Sequence, residues 1–259
     1  MCLIFLSLNS HPKYKLIVAG NRDEFYQRKT QAADFWTDQP HILGGRDLEA
    51  GGTWMGISRQ GKFSLVTNYR DLRNLKTVVP SRGQLVSDFL LNGEHASEYL
   101  KSVSKRGQEY NGFNLLAGTP EELYYYSNYQ EGIERVADGI HGLSNALLNT
   151  PWPKVQRGLE KFSTIIRNDQ VNEEALFDLL YDDQCAPDEQ LPDTGIGLER
   201  ERVLSSIFIK SPGYGSRSST VITIDQSNHV RFTERVYDTS TFEFTSRSFE
   251  FEVPCGDRR

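Results

Sequence analysis

The chain opens on two apolar runs that constrain everything after them. Cys2 to Leu8 and Tyr14 to Ala19 are rich in Leu, Ile, Val and Phe, and the turn-forming residues Asn9-Ser10-His11-Pro12-Lys13 lie between them. This pattern predicts a β-hairpin. Antiparallel pairing around the turn returns Cys2 to the level of Gly20 to Arg22, so the polar quartet Asn21-Arg22-Asp23-Glu24 emerges beside the N-terminus. A one-residue slip of register exchanges which of Arg22 and Asp23 shares a face with Cys2.

A second hairpin is predicted from Gly51 to Ser58 and Phe63 to Asn68, joined by Arg59-Gln60-Gly61-Lys62. Ser81 is the expected N-cap of a helix carrying Leu85, Val86, Phe89 and Leu90, stopped by Asn92-Gly93. Another helical stretch holds Ala96, Leu100 and Val103. Strand patterns resume at Phe113 to Ala117 and Leu123 to Tyr126 and pass through Gly139 to Asn145. Pro151 and Pro153 open a helix with Val155, Leu159, Phe162 and Ile166 on one face, and Glu173 to Tyr181 forms a shorter one. Asp182 to Gly197 reads as a long exposed loop. Strands are expected at Ile207 to Lys210, Ser219 to Asp225 and Val230 to Arg235, with an edge segment around Phe242 to Val253. Hairpins at both ends with helices grouped between them suggest segregated α and β layers, not βαβ alternation.

Composition narrows the function. A chain of 259 residues can bury a full core, and it is read as one domain over residues 1–259. The net charge of −6 argues against a nucleic-acid partner, which needs clustered Lys and Arg. Three cysteines, Cys2, Cys185 and Cys255, are odd in number and far apart, which fits neither a disulfide framework nor a Cys-based zinc site, and suits a reducing, cytoplasmic setting. Leu3 to Leu8 lacks a basic flank and reads as a strand, not a signal peptide. No apolar run approaches the roughly 20 residues of a membrane span.

Cys2 is the candidate nucleophile. With Met1 removed it carries a thiol and a free α-amine, a nucleophile with its base attached, in place of the separate His of papain-like enzymes. The alternative is a small apolar residue at the start of a buried strand. Beside it, Arg22 can lower the thiol pKa and Asp23 can hold the α-ammonium, although a solvated strand exit with a local ion pair has the same composition.

Several ordered motifs extend this: Gly20-Asn21-Arg22-Asp23-Glu24-Phe25-Tyr26, Gly51-Gly52-Thr53-Trp54-Met55-Gly56-Ile57, Thr67-Asn68-Tyr69, Tyr110-Asn111-Gly112-Phe113-Asn114-Leu115, Gly142-Leu143-Ser144-Asn145-Ala146-Leu147, Thr150-Pro151-Trp152-Pro153-Lys154 and Tyr214-Gly215-Ser216-Arg217-Ser218-Ser219-Thr220. Together they resemble the NRDE family from residue 1 to about 235, with Asp182 to Arg202 matching least. That family is connected variously with Golgi and secretory organisation, haem movement and acyl-lipid or acyl-CoA metabolism. More remotely, the arrangement is similar to the choloylglycine-hydrolase and penicillin-V-acylase group. That similarity implies an α+β fold, a four-layer αββα sandwich of N-terminal-nucleophile hydrolase type. It also implies a C–N hydrolase acting on a linear amide or related acyl compound, with Cys2, Arg22, Asp23, Asn68, Asn145 and Arg217 as site residues. In this reading Asn68 and Asn145 donate amide N–H groups to an oxyanion. Each Asn could equally close a turn, Asn149 competes with Asn145, and Arg217 could lie in a flexible surface turn. The amidases usually place their Arg and Asp further apart; adjacent residues on a strand point to opposite faces, so both Arg22 and Asp23 reach Cys2 only if the strand breaks.

The expected partner is a small acyl or amide substrate; the alternative is a haem or acyl-lipid carrier on the same scaffold. No cofactor is expected. The five histidines are scattered without metal-ligand spacing. Gly44-Gly45-Arg46-Asp47 lacks the end of a phosphate loop and reads as a turn, and Pro254-Cys255 is not a haem-attachment motif.

Overall fold

The computed structural model describes residues 2–168 and 170–254. Strands β1 (Cys2–Leu8), β2 (Tyr14–Phe25), β3 (Thr30–Phe35), β4 (Ile42–Asp47), β5 (Met55–Ser58) and β6 (Phe63–Asn68) come first. Helices α1 (Arg82–Leu91) and α2 (Ala96–Ser104) follow, then β7 (Phe113–Thr119), β8 (Glu122–Ser127), β9 (Glu134–Arg135) and β10 (Gly139–Leu143). After α3 (Pro153–Arg167), α4 (Glu173–Leu180) and α5 (Leu198–Val203), the described chain closes with β11 (Lys210–Ser211), β12 (Tyr214–Asp225), β13 (His229–Tyr237) and β14 (Phe244–Glu252).

The strands form two antiparallel sheets. One runs β10-β1-β2-β12-β13-β14 with β11 on β12, and the other runs β3 to β9 in sequence order. Strand alternation sorts the apolar side chains into three slabs. Ile4, Leu6, Leu16 and Val18 of the first sheet meet Leu43, Met55, Ile57, Leu65 and Leu116 of the second. The opposite-facing Leu3, Phe5, Ile17 and Ala19 pack under α3 and α4 with Val155, Phe162 and Phe177. On the far side, Ile42, Val66, Leu115 and Ala117 pack under α1 and α2 with Phe89 and Leu100. The result is an α+β, four-layer αββα sandwich.

The expected first hairpin, both helix pairs and the β14 edge strand are present. Four expectations are corrected. Gly44 to Asp47 is not a turn but most of β4, because its glycines admit neighbours that a side chain would exclude: a Cβ on Gly45 would lie 2.1 Å from the Trp54 ring. The second hairpin starts at Met55, since Gly51 sits at φ +79° in the connection before it. Ile207 to Ile209 is irregular and only Lys210–Ser211 pairs. The Gly213-to-Ser219 segment is no loose turn, since β12 begins at Tyr214 and pairs with β2 across it. Within Asp182 to Gly197 the only regular element is a single 3-10 turn at Asp188–Gln190.

Candidate active site

The register of the first hairpin decides the site. Cys2 lies opposite Arg22 and Leu3 opposite Asn21, so Cys2 and Arg22 share one face while Asn21 and Asp23 share the other. β2 continues through Asp23 to Phe25 without a break. Arg22 therefore turns between the sheets, where its guanidinium stacks 4.3 Å above the Trp54 ring and lies 3.8 Å from Glu24. Asp23 turns toward the helices and accepts a 2.6 Å hydrogen bond from the Ser216 hydroxyl. Because β2 is unbroken, the two side chains do not both face Cys2: Arg22 shares its face and Asp23 does not.

Between the sheets, a cavity of about 490 Å³ opens at this strand end. Cys2, Arg22, Asp23, Asn68, Trp54 and Arg82 are among its lining residues. The N-terminal end of α1 closes the far wall, with Arg82 donating to the Gly112 carbonyl at 2.9 Å. Arg28 braces the rim against Asp47 at 2.7 Å.

Burial pushes the Cys2 thiol above its ordinary value, and the positive N-terminus pulls it back. Asp23 adds to the rise, while Arg22 and the Asp23 N–H favour the thiolate. Burial likewise raises Asp23, opposed first by Lys154, then by the N-terminus, the Ser216 hydrogen bond and Arg70. Met1, whose removal the nucleophile reading requires, lies outside the described residues, as does Cys255.

The remaining candidates take different places. Asn68 ends β6 at the cavity wall, and no side-chain hydrogen bond among the described residues engages its amide. Asn145 is fully buried behind it, donating to the Asn68 carbonyl at 3.0 Å and accepting the Arg70 N–H at 2.8 Å. Ser144 links this pair to β1 by donating to the Cys2 carbonyl at 3.5 Å. Asn149 is a turn residue, at φ +61° with its amide on Gly142 and His141. Arg217 is the extra residue of a bulge between Ser216 and Ser218. Its guanidinium donates to the carbonyls of Phe25 and Arg28 and does not line the cavity.

Several functional-looking groups escaped the sequence reading. Lys154 is 1% exposed, in the first turn of α3, and its Nζ has no hydrogen-bond partner among the described residues. Arg70 is buried against Glu201 at 2.8 Å and stacks on Trp152 at 4.7 Å. Between the sheets, the buried Glu234 accepts the Ala33 N–H at 2.6 Å and faces Arg22, its carboxyl pushed up to about 7 by burial. Lys154 had a sequence signal: it stands four and eight residues before the buried Gly158 and Phe162. It also puts a positive charge at a helix N-terminus, against the helix dipole. Among the described residues no group of His, Cys, Asp and Glu side chains could hold a metal ion, and no helix is long and apolar enough to cross a membrane.

Among solved structures, similarity is found to a Caenorhabditis elegans ortholog of N-acylethanolamine-hydrolyzing acid amidase (TM-score 0.48, 9% identity, 85% of this chain and 92% of that one). A mutant conjugated bile acid hydrolase of Clostridium perfringens also matches (TM-score 0.49, 7% identity, 100% of both chains). In sequence, the Bos taurus Transport and Golgi organization protein 2 homolog is 40% identical, over 97% of this chain and 100% of its own length. The Homo sapiens homolog is 39% identical over 96% and 100%, and the Drosophila melanogaster protein 30% over 90% and 91%. The model of the family described as Transport and Golgi organisation 2 matches residues 1–239, and the chain belongs to that family.

Proposed function

We propose that the protein is a cysteine N-terminal-nucleophile hydrolase acting on a small linear amide or related acyl compound. The observation that carries this reading is the Cys2–Arg22 register, which sets the thiol on a cavity wall with a guanidinium on its own face and Asp23 on the other. Once Met1 is removed, the Cys2 α-amine takes the thiol proton and the sulfur attacks the substrate carbonyl carbon. The carbonyl π electrons move to oxygen, and the Asn68 amide donates to that oxyanion. Collapse breaks the C–N bond, the α-ammonium returns its proton to the departing amine, and a thioester remains on Cys2. Water, deprotonated by the same amine, then releases the acid and restores the thiol.

Asn145 serves this chemistry by fixing the Asn68 carbonyl from behind the cavity wall. Arg22 favours the thiolate. Asp23 holds the amine end, and Arg217 anchors the turn after β2 that carries Arg28. The carrier alternative is weaker because Arg22, Glu24, Arg28, Asp47 and Arg82 all line the cavity, a costly surface for an acyl chain. The test is labelling with a thiol-reactive acyl probe. Wild-type protein is expected to acquire one acyl group that Cys2→Ala lacks and Cys185→Ala retains; equal labelling of Cys2→Ala overturns the proposal. Saturable binding of haem or acyl-CoA without acylation would favour carriage.

A further inference from the structure

We propose that Trp54 is a positioning residue of the Cys2 site: its ring holds the Arg22 guanidinium at the cavity wall, on the face of the thiol and apart from Glu24. The use of the thiol is the one part of this that rests on the hydrolase reading. Cys2 and Arg22 stand directly opposite on β1 and β2, so their side chains leave the sheet on the same face. Arg22 is 5% exposed, and its Nη1 has no hydrogen-bond partner among the described residues. Its Nη2 stops 3.8 Å from Glu24, beyond hydrogen-bond reach. A guanidinium so buried and so little bonded needs another support. The Trp54 ring supplies it: Arg22 Cζ lies 4.3 Å from the ring centroid, where the electron-rich π surface attracts a desolvated cation.

The ring is itself fixed. The Trp54 carbonyl accepts the Val66 N–H of β6 at 2.8 Å, and the Thr53 N–H before it donates to the Gly83 carbonyl of α1 at 3.2 Å. The ring also fills the space over Gly45, where a Cβ would come within 2.1 Å of it. Glu24 is the competitor for the guanidinium. It stands two residues further along the same face of β2, toward the rim, with Arg28 4.0 Å from its carboxylate. Glu234 of β13 and Arg217 of β12 also face Arg22. The thiol is faced by the positive N-terminus, Arg22 and Asp23 of β2, Arg82 of α1, Lys154 of α3 and Tyr214 of β12. Among these, Arg22 is the cation that the register sets across from it. An aliphatic side chain in place of the indole removes the π surface and leaves Glu24 as the nearest attraction, so the guanidinium swings outward and the thiolate loses support.

The rate of Cys2 alkylation by iodoacetamide, read on the N-terminal peptide by mass spectrometry, follows the thiolate fraction across pH. The exposed Cys185 serves as internal reference. Trp54→Leu is expected to alkylate Cys2 roughly fivefold more slowly than wild type at neutral pH, with its profile moved to higher pH and Cys185 unchanged. Trp54→Phe keeps a π face and should stay within about twofold of wild type. In an Arg22→Leu background, Trp54→Leu should slow the reaction no further, whereas a residue that merely shapes the cavity would add its own effect. Glu24→Gln should speed Trp54→Leu more than it speeds wild type. Trp54→Met is the second aliphatic variant. A folded aliphatic variant that alkylates Cys2 at the wild-type rate overturns the proposal. So do an additive effect in the Arg22→Leu background, equal acceleration by Glu24→Gln, and failure of both aliphatic variants to fold. Alkylation needs no turnover, so a wild type whose Cys2 alkylates with this dependence on Trp54 but never acylates fails the hydrolase reading alone.

Discussion

Arg22 and Asp23 are neighbours in sequence, yet the two faces of β2 place them in different electrostatic worlds. On the cavity face, Arg22, Glu24, Arg28 and Asp47 form a chain of pairs whose outer members reach solvent, Arg28 being 32% exposed. On the helix face, Asp23, Lys154, Arg70 and Glu201 are enclosed. Solvent reaches and screens the first group; the second is enclosed, so its charges act at longer range and tolerate less imbalance. Cys2, between them, meets an open cavity on one side and an enclosed group of charges on the other.

The difference predicts a gradient of mutational cost. The largest effect belongs to the enclosure: Asp23→Ala removes a buried carboxylate and the acceptor of the Ser216 hydroxyl and should lose about 3–5 kcal/mol in denaturant unfolding. A loss below about 1 kcal/mol would show that the enclosure is hydrated and erase the contrast. Next comes Asn68→Ala, which should raise the hydrolytic barrier by about 3 kcal/mol while moving stability little, since its side chain holds no hydrogen bond among the described residues. Asn145→Ala should instead lose stability as well as rate, because its buried side chain donates to the Asn68 carbonyl and accepts the Ser144 hydroxyl.

Glu234 sharpens the comparison from the cavity side. Its folded carboxyl lies near 7 against an ordinary 4.5, so between those values the native state keeps a proton that the unfolded chain has released. Stability must therefore fall as pH rises from 4.5 to 7, with the full cost present above 7. Glu234→Gln keeps an acceptor for the Ala33 N–H and should stabilise the protein by about 3 kcal/mol at pH 8, an advantage that fades toward pH 4.5. An equal advantage at both pH values would contradict a buried ionisation. The smallest effect is Arg28→Ala at the rim, expected to cost no more than about 1 kcal/mol and to weaken further in salt.

The hairpin and its consequence were legible because two apolar arms around a short polar turn leave little choice of partner, and Cys2 falls opposite Arg22 once they pair. Helices α1 to α4 were legible from their apolar spacing, whereas α5, short and rich in Glu and Arg, was not anticipated. β3 and β4 were not: Thr30-Gln31-Ala32-Ala33-Asp34-Phe35 alternates poorly and is bulged, and Gly44-Gly45 imitates a turn until Trp54 is packed against it. Arg217 was misplaced because a bulge depends on the partner strand, which local sequence does not carry. Lys154 was overlooked because a lysine at the start of a helix ordinarily faces water, and only tertiary packing of α3 on β1 and β10 encloses it.

The central claim is that Cys2 is an N-terminal nucleophile, and the mass of the N-terminal peptide after incubation with an acyl probe tests it most directly. The account predicts a peptide beginning at Cys2, without Met1, carrying one acyl group that hydroxylamine removes as expected of a thioester. A peptide that retains Met1 in active protein, or one that stays unacylated while the acyl compound is hydrolysed, would contradict it.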